Sequence, residues 1–157
     1  MRITTYNMRF NEDRTHMLVK EAATNYLKID RIENPACIPR LMCDVFDLSN
    51  RTEEHVYMLA INSANKLIGV FEISHGGTMY SYCNPREIYS RALLAGAVSI
   101  ILVHNHPSGD VNPSKSDREA TKTIAEAGNL IGIKLMDHII VGADGKYCSL
   151  AEYGEIE

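Results

Sequence analysis

The sequence predicts an α/β (α+β) fold, a mixed β-sheet flanked by helices. The expected layout is a single domain over 1–157, with a helical segment at 1–50 and the core of the domain at 51–157. Three observations lead there. Strand-type and helix-type periodicity alternate along the chain, the clearest helix starts each follow a strand-like run, and no period of 20–50 residues repeats. With 157 residues, 45% of them hydrophobic, the chain can bury one core without staples and is too short for two full domains.

After a short extended start, Leu18, Ala22, Tyr26 and Ile29 recur at helical spacing, Pro35 interrupts, and Leu41 to Leu48 reads as a second helix. Residues 1–50 are therefore expected to be mainly helical. The stretch HVYMLAINSANKLIGVFEIS holds two runs rich in branched and aromatic residues around Asn62-Ser63-Ala64-Asn65, whose short polar side chains suit a turn. It predicts a hairpin with strands near 55–61 and 66–74, the second ended by Gly76-Gly77.

Asn84-Pro85-Arg86-Glu87 is a helix start, with Asn as N-cap, Pro in the first turn and Glu87 reaching back to the cap. Arg86 and Glu87 read as helix-start residues rather than substrate clamps. Ile88, Ala92 and Ala95 then form the buried face. VSIILVH (98–104) predicts a buried strand that runs into the polar loop NHPSGDVNP, after which Ser114-Lys115-Ser116-Asp117 opens a helix with Ala120, Ile124 and Ala127 inward. LMDHIIV predicts a further strand, Ala143-Asp144-Gly145 a tight turn and KYCSL a short returning strand.

Composition narrows the function classes. Sixteen Lys+Arg against 20 Asp+Glu give a formal charge of -4, so there is no global basic field for phosphate backbone or anionic membrane. The longest apolar run, Ala92 to Val103, is too short to span a bilayer. Cys37, Cys43, Cys83 and Cys148 form no C-x-x-C pair, and the polar start MRITTYN lacks a signal-peptide core. The expectation is a cytoplasmic protein with reduced, inert thiols and no membrane partner.

The chemistry concentrates at 104–117. Two histidines at i and i+2 on extended backbone, His104 and His106, project to one side, where a helix would point them apart. The first turn of the next helix can return Asp117 to the same point, giving two imidazoles and a carboxylate with a fourth position open, the pattern of catalytic zinc. Zinc so held activates water near neutral pH, lowering its pKa from about 15.7 to about 7, and polarises a carbonyl. A carboxylate must then move the proton, and the residues alone leave Glu53, Glu54 and Glu72 open for that role. The Ser114 hydroxyl can assist a developing oxyanion. Ser114 and Asp117 are also a capping pattern that needs no metal, while Asp137 and His138 are placed to orient a ligand imidazole.

H-N-H-P-S-G at 104–109, followed by Ser114 and Asp117, resembles the JAMM (MPN-plus) metalloprotease signature, and the NPREI and LMDHIIVG segments resemble its RadC-like JAB branch. The likeness runs from about Glu54 to Tyr153. It implies a JAB/MPN fold similar to cytidine deaminases, Zn2+ on His104, His106 and Asp117, Ser114 at the oxyanion, and Glu54 as the catalytic acid. The implied activity is hydrolysis of an amide or isopeptide bond, with a peptide or isopeptide-type substrate as partner. The RadC branch also carries an association with DNA repair. That motivates the competing reading of an accessory DNA-repair or replication protein, or a metal-dependent nuclease, using a patch such as Lys115, Arg118 and Lys122. No helix-hairpin-helix motif is found in the first 50 residues, and the chain is acidic, so nucleic acid is the less favoured partner.

Overall fold

A computed structural model describes residues 1–32, 34–76 and 83–156. In chain order its elements are β1 (Arg2–Phe10), β2 (His16–Asn25), α1 (Ile38–Phe46), β3 (Glu54–Ile61), β4 (Leu67–Gly76), α2 (Pro85–Ala95), β5 (Ser99–Asn105), α3 (Lys115–Ile131), β6 (Lys134–Val141) and β7 (Tyr147–Ser149). Gly77, expected to help end the second hairpin strand, lies outside the described residues.

The strands form one mixed sheet in the order β2-β1-β4-β3-β5-β6-β7. β5 is an interior strand, antiparallel to β3 and parallel to β6, and is buried along its whole length. Side-chain alternation divides the core in two. Tyr57, Leu59 and Ile61 of β3 with Ile101 and Val103 of β5 pack against Ile38, Leu41 and Met42 of α1. The alternate positions, Met58, Ala60, Ile100 and Leu102, meet Ile88, Tyr89 and Ala92 of α2 and Ile124 of α3 on the opposite face. The mixed sheet flanked by helices is the fold the sequence predicted, and its JAB/MPN reading is consistent with this topology.

The expected helix over 18–29 is instead strand as far as Asn25, followed by a turn. β1 and β2 form an antiparallel hairpin, turned at Asn11–Arg14, where the Asn11 side chain accepts the Thr15 N–H at 2.8 Å. Leu18, Ala22 and Tyr26 are four residues apart, a spacing that suits a helix and is also even, as a strand face requires. The register slips between Leu18 and Ala22, however, and Tyr26 lies beyond β2, so Leu18 and Tyr26 pack in opposite halves of the core. β2 is a sheet edge with most side chains exposed, so it lacks the apolar alternation that would have identified it. α1 is the one α-helix among the described residues before 51.

The later elements fall close to expectation. Asn84 caps α2 by accepting the Arg86 N–H, but Glu87 does not reach back; it pairs with Arg91 one turn on, at 2.8 Å. On α3 the inward residues are Thr121, Ile124 and Gly128, with Ala120 and Ala127 at the margin of that face. Among the described residues no helix is long and apolar enough to cross a membrane.

Candidate metal centre

His104 is the sixth residue of β5 and shares the face of Ile100 and Leu102, towards α3. One residue past the strand, the His106 N–H donates to the Val141 carbonyl at 3.0 Å, so the backbone stays extended and both imidazoles leave on the same side. The chain then turns back from His106 to Gly109, which sits at φ 81°, a conformation that excludes most side chains. Asn112 N–H and Nδ2 both donate to Asp110 Oδ1, and Ser114 starts α3.

The first turn of α3 is a capping box. Ser114 Oγ accepts the Asp117 N–H at 3.1 Å, and Asp117 Oδ2 accepts the Ser114 N–H at 2.7 Å and its hydroxyl at 2.6 Å. The capping and metal-ligand readings of Ser114 and Asp117 thus describe one arrangement: the box locks the carboxylate so that Oδ1 lies 3.4 Å from His104 Nε2 and Oδ2 lies 3.4 Å from His106 Nε2. The two Nε2 atoms are 3.0 Å apart.

The remaining hydrogen bonds assign the ring protons. His106 Nδ1 donates to the Asp110 carbonyl at 2.8 Å, which leaves its Nε2 as a lone pair in the neutral ring. His104 Nδ1 lies 2.8 Å from His138 Nε2, and His138 Nδ1 lies 2.6 Å from Thr121 Oγ1, which in turn donates to the Asp117 carbonyl at 2.6 Å. One protonation pattern satisfies the whole chain: His104 donates to His138, His138 to Thr121 and Thr121 to Asp117. His104 Nε2 is then a lone pair as well, pointing at that of His106.

Two imidazole lone pairs and a carboxylate facing one another fit a cation. Donors about 2.0–2.1 Å from a tetrahedral ion lie about 3.3 Å apart, close to the 3.0, 3.4 and 3.4 Å separations here. Burial and the neighbouring His138 push His104 well below the usual histidine range, keeping it neutral as a ligand must be. Burial opposes ionisation of Asp117, yet hydrogen bonds from His106 and Ser114 hold its carboxyl well below the usual carboxylate range. His106 is raised, mainly by its hydrogen bond to Asp117, so without an ion Nε2 favours holding a proton, which a bound metal would displace. His104, His106 and Asp117 can therefore hold a metal ion.

Glu54 faces this point. Val56 of β3 pairs with His104, so Glu54, two residues earlier, is carried on the same face toward His106. Burial pushes its carboxyl up, with the charge of Asp117 adding and that of His106 opposing. Glu53 is exposed, and Glu72 lies beside His55 and His75.

Two residues that sequence reasoning missed support the site. Asn105 lies between the two histidines, and strand alternation sends its buried side chain to the other face. There Oδ1 accepts the His55 N–H at 2.8 Å and Nδ2 donates to the Glu53 carbonyl at 3.0 Å, clamping the backbone on both sides of Glu54. Thr121 is one helical turn beyond Asp117, so it had a readable signal in the i, i+4 spacing. Of the two proposed orienting residues, His138 touches His104, whereas Asp137 accepts from the His138 N–H, Ser149 Oγ and the Ala151 N–H.

Cys83 sits near enough for Asp117 and Glu54 to act on it; burial above all, then those charges, pushes its thiol up to about 12, an unreactive protonated state. The three cations considered for a nucleic-acid patch each have an acidic neighbour: Lys115 with Glu119 at 3.6 Å, Lys122 with Glu126 at 4.0 Å, and Arg118 with Glu155.

A mixed sheet that brings two histidines from the end of a buried strand and an aspartate from the next helix to one point defines a JAB/MPN-type domain with a site able to hold a metal. The chain belongs to the RadC-like JAB domain family, whose model matches residues 32–155. It is 48% identical over 103 residues to a UPF0758 protein of Caldanaerobacter subterraneus, covering 66% of this chain and 44% of the relative. It is 42% identical over 124 residues to a UPF0758 protein of Staphylococcus haemolyticus, covering 79% and 53%. A UPF0758 protein of Listeria monocytogenes is 48% identical over 102 residues, covering 65% and 45%. The chain thus spans about half the length of these curated relatives.

Proposed function

We propose that the chain is a zinc-dependent hydrolase of metallopeptidase or amidohydrolase type, cutting an amide or isopeptide bond in a peptide-type substrate. The observation that carries this reading is the convergence of the His104 and His106 Nε2 atoms and the Asp117 carboxylate, with Glu54 on the same face. When bound there, zinc supplies Lewis acidity and an activated water at neutral pH.

The chain's own residues divide the remaining work. Glu54, half-buried and raised, takes a proton from the attacking water and returns it to the leaving amine. Its backbone is held by Asn105, so the carboxylate is presented without a search. Ser114 is exposed at the N-terminus of α3, where its hydroxyl can turn from Asp117 to an oxygen gaining negative charge, aided by the positive end of the helix.

The test uses purified protein loaded with zinc and assayed on amide and isopeptide substrate libraries. The wild type cleaves; Glu54→Gln retains zinc and loses cleavage by about 10²-fold or more. Protein that binds no zinc under any loading condition removes the basis of the reading.

A further inference from the structure

Outside the centre at His104, the described residues hold one other group with ligand atoms all within 4.8 Å of one another: His55, Glu72 and His75. We propose that it is a second divalent-cation site, taking a first-row transition ion on two imidazoles and one carboxylate. It stands independently of the hydrolase reading.

A bulge builds the cluster. His55 on β3 and His75 on β4 are directly opposed in the antiparallel ladder and so share a face. Glu72 precedes His75 by three residues, an odd spacing that in a regular strand sends the two side chains to opposite faces. The ladder slips here: Val56 pairs with Ser74 but Tyr57 with Glu72, leaving Ile73 as an extra residue. The slip turns Glu72 to the face of His75, with Oε1 2.7 Å from His55 Nδ1 and 3.4 Å from His75 Nδ1. The two rings lie 5.5 Å apart at 24°, and Tyr57 also stacks on His55.

His55 is the fixed ligand, its side chain 13% exposed, whereas Glu72 and His75 open to solvent at 42% and 63%. Glu72 and His75 also border a cleft of about 370 Å³. Imidazole with one carboxylate selects Zn2+, Ni2+ or Cu2+ over Mg2+ and Ca2+, which want oxygen donors throughout. The site lies on the sheet face opposite His104. Because Glu54 pairs with Gly76 next to the His55–His75 pair, a bridging ion would tie β3 to β4 beside Glu54.

Stripped, tag-free protein titrated with Zn2+ in a calorimeter, with metal content checked by mass spectrometry, tests this. Wild type takes an equivalent that His75→Ala removes and Glu72→Gln weakens at least ~10-fold, since even an outer partner of a ligand is worth that much. His75 is exposed, so its replacement leaves the core intact. Asp117→Asn keeps this equivalent and loses the other. If His75→Ala loses an equivalent while Asp117→Asn changes nothing, the second site stands and the hydrolase reading falls. Unchanged zinc stoichiometry in His75→Ala overturns the proposal.

Discussion

Thr121 lies on the inner face of α3 one turn past Asp117, with its hydroxyl between the His138 ring and the Asp117 carbonyl. It is fully buried and closes a relay that joins His104 on β5 to the helix bearing Asp117. Thr121→Val keeps the shape and removes the hydroxyl, leaving His138 Nδ1–H without an acceptor. His138 can then shift its proton to Nε2, where it confronts the Nδ1–H of His104. The expected result is an about 10- to 100-fold loss of zinc affinity, as for other partners of metal-bound histidines, with a stability loss of about 1–3 kcal/mol. Competition against a chromophoric chelator measures the first, urea unfolding of stripped protein the second. Thr121→Ser should recover most of the affinity, and a Thr121→Val protein binding zinc like wild type would show that the relay does not orient His104.

Helix α3 shows at the scale of an element how the site is held in place. It is anchored at its far end where Tyr89 of α2 donates to the Ile124 carbonyl at 2.8 Å and packs over Gly128. A Cβ at Gly128 would come within 2.3 Å of the Tyr89 hydroxyl and 2.4 Å of the Ile133 carbonyl. The second of these is backbone and cannot rotate away, so Gly128→Ala is expected to destabilise by about 1–3 kcal/mol through overpacking, despite the better helix propensity of alanine. Thermal unfolding checks the sign: a more stable Gly128→Ala protein would mean that α2 and α3 pack less closely than described. Elements with one clean period or a cap were legible in the sequence, namely the β3–β4 hairpin, β5, and α3 with Ser114 and Asp117. β2 was not, because spacings of four fit both periods and an edge strand shows no buried stripe. The ligand side chains were readable for the same reason that β5 was. Their supports were not read: Thr121 had a signal only in its spacing from Asp117, and a buried Asn such as Asn105 reveals its partners only once the strands have met.

Across the molecule, the centre draws its ligands from an interior strand of the sheet and from the helix laid over it, two elements that unfolding separates. An ion bound to His104, His106 and Asp117 therefore binds the folded chain and finds no preformed set in the unfolded one, so it raises apparent stability by RT ln(1 + [L]/Kd). At free zinc about 100 times Kd the gain is about 2.7 kcal/mol, and for a chain of this size that corresponds to a rise in Tm of about 5–11 °C. Asp117→Asn should abolish most of this rise. It weakens the capping box too, so its metal-free Tm should also lie below that of the wild type. His75→Ala, on the other sheet face, should keep the larger part of the shift. Scanning calorimetry of stripped and zinc-loaded protein reads all three. A wild-type Tm indifferent to zinc and to chelator would mean that the convergence of the three side chains reflects packing and capping alone.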